Sequence, residues 1–283
     1  MPSNKLQIGG IIDRALAEDL ATGDVTTEAL VPADRQGTGV VVAKGEGVLA
    51  GVNVAKQVFC QVDPALSVEL FLEDGAKVKS GDKVARVSGS IASILKAERV
   101  ALNFVQHLSG IASETNRYVK AVKGLPVRIM DTRKTTPGLR LLEKHAVRAG
   151  GGENHRMSLG DGILIKDNHL AALRSQRLNL KQIVAKARQN SPERPSVEVE
   201  VATVAEASEA VEAGADIIML DNMSLEDMRE AVKSIHGRAL VEASGGITLD
   251  NVRAVAETGV DFISVGALTH SARALDISLD LND

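Results

Sequence analysis

Residues 212–220 read EAGADIIML and residues 257–265 read ETGVDFISV. The two stretches align position by position, with Gly214 and Gly259 lying 45 residues apart. Each contains the end of an amphipathic helix, a glycine turn and an apolar strand, so one helix-turn-strand unit is used twice. Periods of this size also occur in helical and propeller repeats, but one strand plus one helix per unit is what (β/α) barrels are built from. Outward from this echo, six short apolar runs stand out: VRIM before Asp131, ILI before Lys166, VEVEV from Val197, DIIML before Asp221, ALVEA before Ser244 and FISV before Gly266. Amphipathic helical stretches separate them, which is the pattern of a parallel sheet with crossover helices. Thr203 with Glu206, Ser224 with Asp227, and Thr248 ahead of NVRAVAETG fit helix N-caps, and SPERPS from Ser191 reads as a linker. Six strands rather than eight predict an α/β fold with an irregular, incompletely closed (β/α) barrel of six to seven parallel strands. An open doubly wound sheet is the alternative.

The chain before Gly110 has a different texture. IGGIIDRALAEDL reads as a helix with Ile8, Ile11, Ile12, Leu16 and Leu20 on one face; ATGDVTTEALVP is turn-rich, with Asp24 and Thr26 as caps or turn formers. Short glycine-bounded strands follow, with a helix near 52–62 and another from Ser90 onward. We therefore expect a smaller N-terminal α/β domain at 1–110 and a barrel domain at 111–283, whose tail after about residue 270 packs back on the first domain.

Composition narrows the function. At 283 residues and 44% hydrophobic, the chain can bury a full core. It has no apolar run of membrane-spanning length and its first residues lack the apolar centre of a secretory signal. Cys60 is the only cysteine, which fits a reducing cytoplasm and excludes an internal disulfide. A formal charge of -4 and the absence of Trp argue against nucleic-acid binding. One segment runs against the acidic balance: residues 131–170 carry seven Lys and Arg against five acids, with three of the six histidines. Such local concentration points to a small anionic ligand. For Glu143, Lys144 and Arg148, whose spacing is helical, an ordinary charged helix surface is expected instead.

Barrel ligands bind beyond the carboxyl ends of the strands, so the residue after each apolar run should face a common mouth. The first strand delivers Asp131, Thr132, Arg133 and Lys134; the second, Lys166, Asp167 and Asn168; the fourth, Asp221 and Asn222. Alternation in VEVEV turns the valines toward the helices and sends Glu198 and Glu200 inward, where a carboxylate needs a cation or a metal. Pairing with Arg or Lys would satisfy that need; so would Mg²⁺ held by Glu200 and Asp221. Ser244, Gly245 and Gly246, then Val265, Gly266 and Ala267, are small enough for backbone N–H groups to close on a phosphate, or serve merely as turns. GGGENHRM from Gly150 reads as a flexible loop whose His155 and Arg156 can grip a carboxylate.

DTRKTTPGLR, KHAVRAGGGENHRMSLGDGILIKDNH, VEVEV, LDNM, ASGG, VGALTHS and the N-terminal EDLATGDVTTEAL, in this order, resemble the blocks of the quinolinate phosphoribosyltransferase family over nearly the whole chain. The resemblance implies transfer of phosphoribosyl from phosphoribosyl pyrophosphate to quinolinate with decarboxylation, giving nicotinate mononucleotide, pyrophosphate and CO₂ for NAD biosynthesis. It implies that Thr132, Arg133, His155, Arg156 and Lys166 hold quinolinate, with Arg99 from a neighbouring subunit of a homodimer or higher even oligomer. It further implies that Lys134, Glu200 and Asp221 carry the catalysis, and that these three with Ser244, Gly245, Gly246, Val265, Gly266 and Ala267 hold phosphoribosyl pyrophosphate and Mg²⁺. Glu153, where a small or apolar residue is usual, and Ser158, where glycine is frequent, depart from the family pattern, and Glu153 bears on the carboxylate pocket. The same residues leave three other readings open: a Schiff-base aldolase using Lys166, a binding barrel without turnover, and a related transferase for another pyridine acid.

Overall fold

The computed structural model describes residues 4–173, 178–191 and 196–282. The chain forms two compact units, one of residues 1–116, 135–151 and 267–283, the other of 117–134 and 152–266. A division at residue 110 follows the order of the sequence; grouping by contact draws 135–151 and 267–283 to the first unit. Of the expected linker SPERPS, residues 192–195 lie outside the described residues.

The first unit opens with α1 (Asn4–Leu20) and α2 (Val25–Leu30), followed by β1 (Gln36–Ala43), β2 (Gly47–Val48), α3 (Val52–Val62), β3 (Ser67–Leu70), β4 (Lys77–Val78), β5 (Lys83–Ser90) and α4 (Ile91–Ala121). The stretch read as turns at 21–32 therefore contains a short helix, and Asp24 caps it by accepting from the Thr27 amide at 3.0 Å. Thr26 lies inside that helix. The last strand of the chain, Ile277–Asn282, pairs antiparallel with β1, giving a four-stranded sheet in which β1 sits between it and β5, with β3 at the far edge. Val41, Leu49, Val52, Val84, Leu102, Val105 and Ile277 form its core.

Residues 140–149 form α5 (Arg140–Ala149), and here the expected charged surface is wrong for two of its three residues. Glu143 and Lys144 are fully buried; only Arg148 is exposed. Glu143 accepts from His107 Nε2 at 2.9 Å and from the Thr136 amide at 3.0 Å, so donors stand where water would have been.

The second unit holds the six expected strands: β6 (Arg128–Met130), β7 (Ile163–Ile165), β8 (Val197–Val201), β9 (Ile217–Asp221), β10 (Leu240–Ser244) and β11 (Phe262–Ser264). They pair in parallel in the order β6-β11-β10-β9-β8-β7, the cyclic order of a barrel cut between β6 and β7. The barrel is open. At its β6 edge the chain near Glu153 forms a single parallel bridge, donating its amide to Ile129 and accepting from Asp131. Crossovers are α6 (Asp167–Leu173), α7 (Leu180–Gln189), α8 (Val204–Glu212), α9 (Leu225–Ile235) and α10 (Val252–Ala256); α11 (Ala267–His270) belongs to the first unit.

The caps obey local chemistry. Thr203 and Glu206 form a reciprocal capping box, and Ser224 accepts from the Asp227 amide. Asn251, not Thr248, occupies the N-cap of α10; Thr248 instead gives its amide to Asn251 and its carbonyl to Val252. The sequence echo has a structural cause. Asp216 and Asp261 each donate their amide to the carbonyl of a residue near the start of a neighbouring strand and accept that residue's amide on the side chain: Asp216 clips Val197, and Asp261 clips Val241. Gly214 and Gly259, at φ +83 and +94, supply the left-handed turns that bring each aspartate into place. Along the strands, Val197, Val199, Ile218, Leu220, Val241 and Ile263 are buried against the helix layer, while the alternate residues turn inward.

Candidate active site

Those inward residues line a cavity of about 590 Å³ at the carboxyl ends of the second unit's strands. Thr132, Arg133 and Lys134 follow β6; Lys166 follows β7; Glu200 comes from β8, Asp221 from β9 and Ser244 from β10; Gly245 and Gly246 complete one wall. Arg133, Arg156 and Lys166 thus converge on one space. Burial, then the nearby guanidinium of Arg133, lower the affinity of Arg156 for its proton, while Glu198 and Asp161 oppose that shift. Arg156 is further held by a bond from its guanidinium to the Gly162 carbonyl at 3.2 Å. Lys134 is exposed, and its backbone is shaped by its amide donating to Thr132 Oγ1 at 3.0 Å.

Glu200 is paired. Lys166 Nζ lies 2.5 Å from its Oε2, with the lysine side chain 41% exposed and the glutamate 14%. Asp221 accepts from Asn222 Nδ2 at 2.8 Å, and Asn222 itself stands at φ +54, rare for a side chain other than glycine. The register pairs Glu200 with Met219, so Glu200 and Asp221 share the inward face of adjacent strands. Two carboxylates on one face form a hard oxygen set that fits Mg²⁺, and Lys166 already offsets the charge of one of them, Glu200. The two also border a neighbouring cavity of about 430 Å³ framed by Leu180, Ile183 and Val201.

Beneath the mouth lies a buried acid cluster. His155 is held with its Nε2 at 3.1 Å from Glu198 and 3.4 Å from Glu242, and the two glutamates are only 4% and 1% exposed. Burial alone would lower the histidine pKa; the bonds to Glu198 and Glu242, and then their charges, outweigh it and raise the pKa from 6.5 to about 10. Glu198 in turn is pushed up by burial and by the charge of Glu242, against the pull of His155. The Arg156 amide donates to His155 Nδ1 at 2.9 Å, a contact that a hydrogen on Nδ1 would displace. Carboxylate pull thus favours the doubly protonated ring, whereas the geometry seen is that of the Nε2–H tautomer. Asp131, expected at the mouth, is instead fully buried, accepting from the His155 amide at 3.0 Å and Asn154 Nδ2 at 2.6 Å. The stretch expected as a flexible loop is therefore pinned at 154–156.

Other expected residues fall elsewhere. Val265 is buried and donates its amide to the Met130 carbonyl, so that N–H is occupied within the sheet. Gly266 follows it at the end of the second unit, and Ala267 begins α11 in the first. Arg99, on α4 of the first unit, is 59% exposed and lines a cavity of about 320 Å³ with Glu18, Asp19 and His107. Glu153 does not line the large cavity; it pairs with Arg128 at 3.3 Å. Ser158 bonds Asp161 through both its amide and its hydroxyl, closing a tight turn. Glu242, Asn154 and Ser264 were not anticipated as site residues. For Glu242 a signal existed, since alternation in LVEAS puts it on the face of Ser244.

With the geometry in hand, comparison with known proteins is specific. The C-terminal domain model of quinolinate phosphoribosyl transferase matches residues 111–280, and the N-terminal domain model matches residues 24–109. The chain is 43% identical to the probable nicotinate-nucleotide pyrophosphorylase (carboxylating) of Bacillus subtilis, over 98% of this chain and 94% of that protein. It is 46% identical to the nicotinate-nucleotide pyrophosphorylase (carboxylating) of Mycobacterium leprae, over 95% of each. The crystal structure of NadC from Streptococcus pyogenes superposes with a TM-score of 0.93 at 44% identity, covering 100% of both chains. The chain belongs to the quinolinate phosphoribosyl transferase family.

Proposed function

We infer that the protein is a carboxylating nicotinate-nucleotide pyrophosphorylase: it transfers phosphoribosyl from phosphoribosyl pyrophosphate to quinolinate and releases pyrophosphate and CO₂, leaving nicotinate mononucleotide for NAD biosynthesis. The observation that carries this reading is the gathering of Arg133, Arg156 and Lys166 with Glu200 and Asp221 around one cavity, in a chain of this family. Three cations match a doubly charged aromatic acid, and the carboxylates and small residues opposite match a sugar phosphate.

In this reading Arg133, Arg156 and Lys166, with Thr132 and His155 in the same wall, orient quinolinate so that its ring nitrogen attacks ribose C1 as pyrophosphate leaves. Lys134 offsets the charge on the departing pyrophosphate, and the backbone at Ser244, Gly245 and Gly246 receives a phosphate. Val265 adds no N–H to that loop, since its amide is given to the Met130 carbonyl. Glu200 and Asp221 would hold Mg²⁺, which would supply further charge neutralisation for the phosphates. Alkylation makes the ring nitrogen cationic, and that adjacent charge stabilises the electron pair left on carbon 2 when the 2-carboxylate departs as CO₂; carbon 2 then takes a proton on that pair. Arg99 of a second subunit completes the carboxylate grip in a homodimer or higher even oligomer. No described helix is long and apolar enough to cross a membrane. The single cysteine, Cys60, suits a reducing cytoplasm, to which we assign the enzyme.

A Schiff-base aldolase would need Lys166 as a free amine, and its ion pair with Glu200 weighs against that. The deciding experiment incubates the protein with quinolinate, phosphoribosyl pyrophosphate and Mg²⁺ and follows CO₂ and the mononucleotide together. Equimolar release supports the reading. Turnover of nicotinate but not quinolinate, or no pyrophosphate release, overturns it.

A further inference from the structure

Glu198 and Glu242 meet beside His155 inside the barrel, and Glu242 also borders the large cavity. They come from β8 and β10, which are separated by β9, yet both reach the same nitrogen of His155 inside the barrel. Their remaining oxygens, Oε1 in each case, are buried without a hydrogen-bond partner among the described residues. Two buried carboxylates with unsatisfied oxygens are costly, and an apolar pair would pack the barrel with less strain on stability. A role at the site accounts for keeping them.

The contacts of the ring indicate that role. His155 Nε2 is committed to the two glutamates, and Nδ1 accepts the Arg156 amide at 2.9 Å. One residue earlier, buried Asp131 takes the His155 amide and the Asn154 side chain. Three acids, two on strands and one just beyond β6, therefore fix the backbone immediately before the guanidinium that faces the cavity. A guanidinium recognises a carboxylate by direction, so a small swing of its backbone misaligns both of its N–H groups.

We propose that Glu198 and Glu242 are positioning residues for substrate binding: through the His155 ring they set the Arg156 backbone, and with it the orientation of the guanidinium toward the anionic pyridine substrate. The inference rests on the proposed function and deepens it. Hydrogen-bond acceptance by the glutamates is the required property, since it is what orients the ring and turns its Nδ1 toward the Arg156 amide.

The test compares Glu242→Met, which keeps length but cannot accept a hydrogen bond from Nε2–H, with Glu242→Gln, which can. In steady-state assays with both substrates varied, Glu242→Met should raise the quinolinate KM about tenfold or more while the KM for phosphoribosyl pyrophosphate moves less than about twofold. Glu242→Gln should recover most of the loss. Thermal melts establish that each variant is folded, and Glu198→Met on the other strand takes the place of Glu242→Met if that chain does not fold. A folded Met variant with unchanged quinolinate KM, a parallel rise in both KM values, or a Gln variant as impaired as Met overturns the proposal. The wild-type control separates the two readings: no CO₂ release from quinolinate by the unmodified enzyme sinks the assigned reaction rather than the positioning role.

Discussion

Asn222 and Gly245 interlock at the mouth of the second unit: the Asn222 amide donates to the Ser244 carbonyl at 2.9 Å, and a Cβ added at Gly245 would lie 2.3 Å from Asn222 Oδ1. Asn222 cannot easily yield, because its Nδ2 is held by Asp221. Gly245 also stands at φ +85, where any side chain costs about 1–2 kcal/mol. Gly245→Ala should therefore displace Asp221 together with the loop. The expected result is a rise in the KM for phosphoribosyl pyrophosphate of about tenfold or more, with quinolinate binding changed less. Calorimetric titration with each substrate reads this out; an unaltered phosphoribosyl pyrophosphate affinity would remove the loop from the phosphate site.

Arg133 divides the two substrates. It lies in the cavity beside Arg156, whose proton affinity it lowers by its charge. Losing one charged hydrogen bond to a carboxylate costs about 1.5–3 kcal/mol, or about 10- to 100-fold in affinity. Arg133→Ala should weaken quinolinate by that factor and leave phosphoribosyl pyrophosphate nearly untouched. Equal losses for both would move Arg133 out of the carboxylate grip.

Shared sites can be tested by mixing inactive chains. Arg99→Ala and Lys134→Ala chains, unfolded and reassembled together, form mixed dimers in which one site has both residues intact. With random pairing this restores about a quarter of the wild-type sites. Each variant alone should remain inactive, and a mixture no better than its parts would mean that every site is built from a single chain.

Particular residues show what sequence reading can and cannot reach. The six strands were legible because each is a short apolar run ending in a polar residue, and strand alternation alone sent Glu198 and Glu200 inward, as found. The echo at Gly214 and Gly259 was visible because a shared clip, Asp216 or Asp261 on the neighbouring strand, demands the same local sequence. Burial of Glu143 and Lys144 was not legible: helical spacing identifies one apolar face but says nothing about what covers the other. Asp131 was misread as a mouth residue for a similar reason. Its partners, His155 and Asn154, lie more than twenty residues away, and only the fold brings them together.

The first unit offers a pH test independent of catalysis. Asp74 accepts from His145 Nε2 at 2.7 Å and from the Val52 amide at 3.0 Å, with 15% of its side chain exposed. Burial alone would raise its pKa, but the His145 bond, then the amides of Val52 and Gly51, bring it below the ordinary 3.8. A carboxylate held more firmly in the folded state contributes stability that is fully present above pH 3.8 and is lost as the pH falls through the lower folded value. Asp74→Asn should accordingly be less stable than wild type at neutral pH, by about 1–3 kcal/mol for the broken bonds. Below pH 3.8 that difference should shrink, because the wild-type side chain then takes up a proton and becomes neutral, as asparagine already is. Urea melts at a series of pH values from 7 to about 2 measure the gap directly. Two curves that stay parallel down to the acid limit would show that the Asp74 charge contributes nothing to folding.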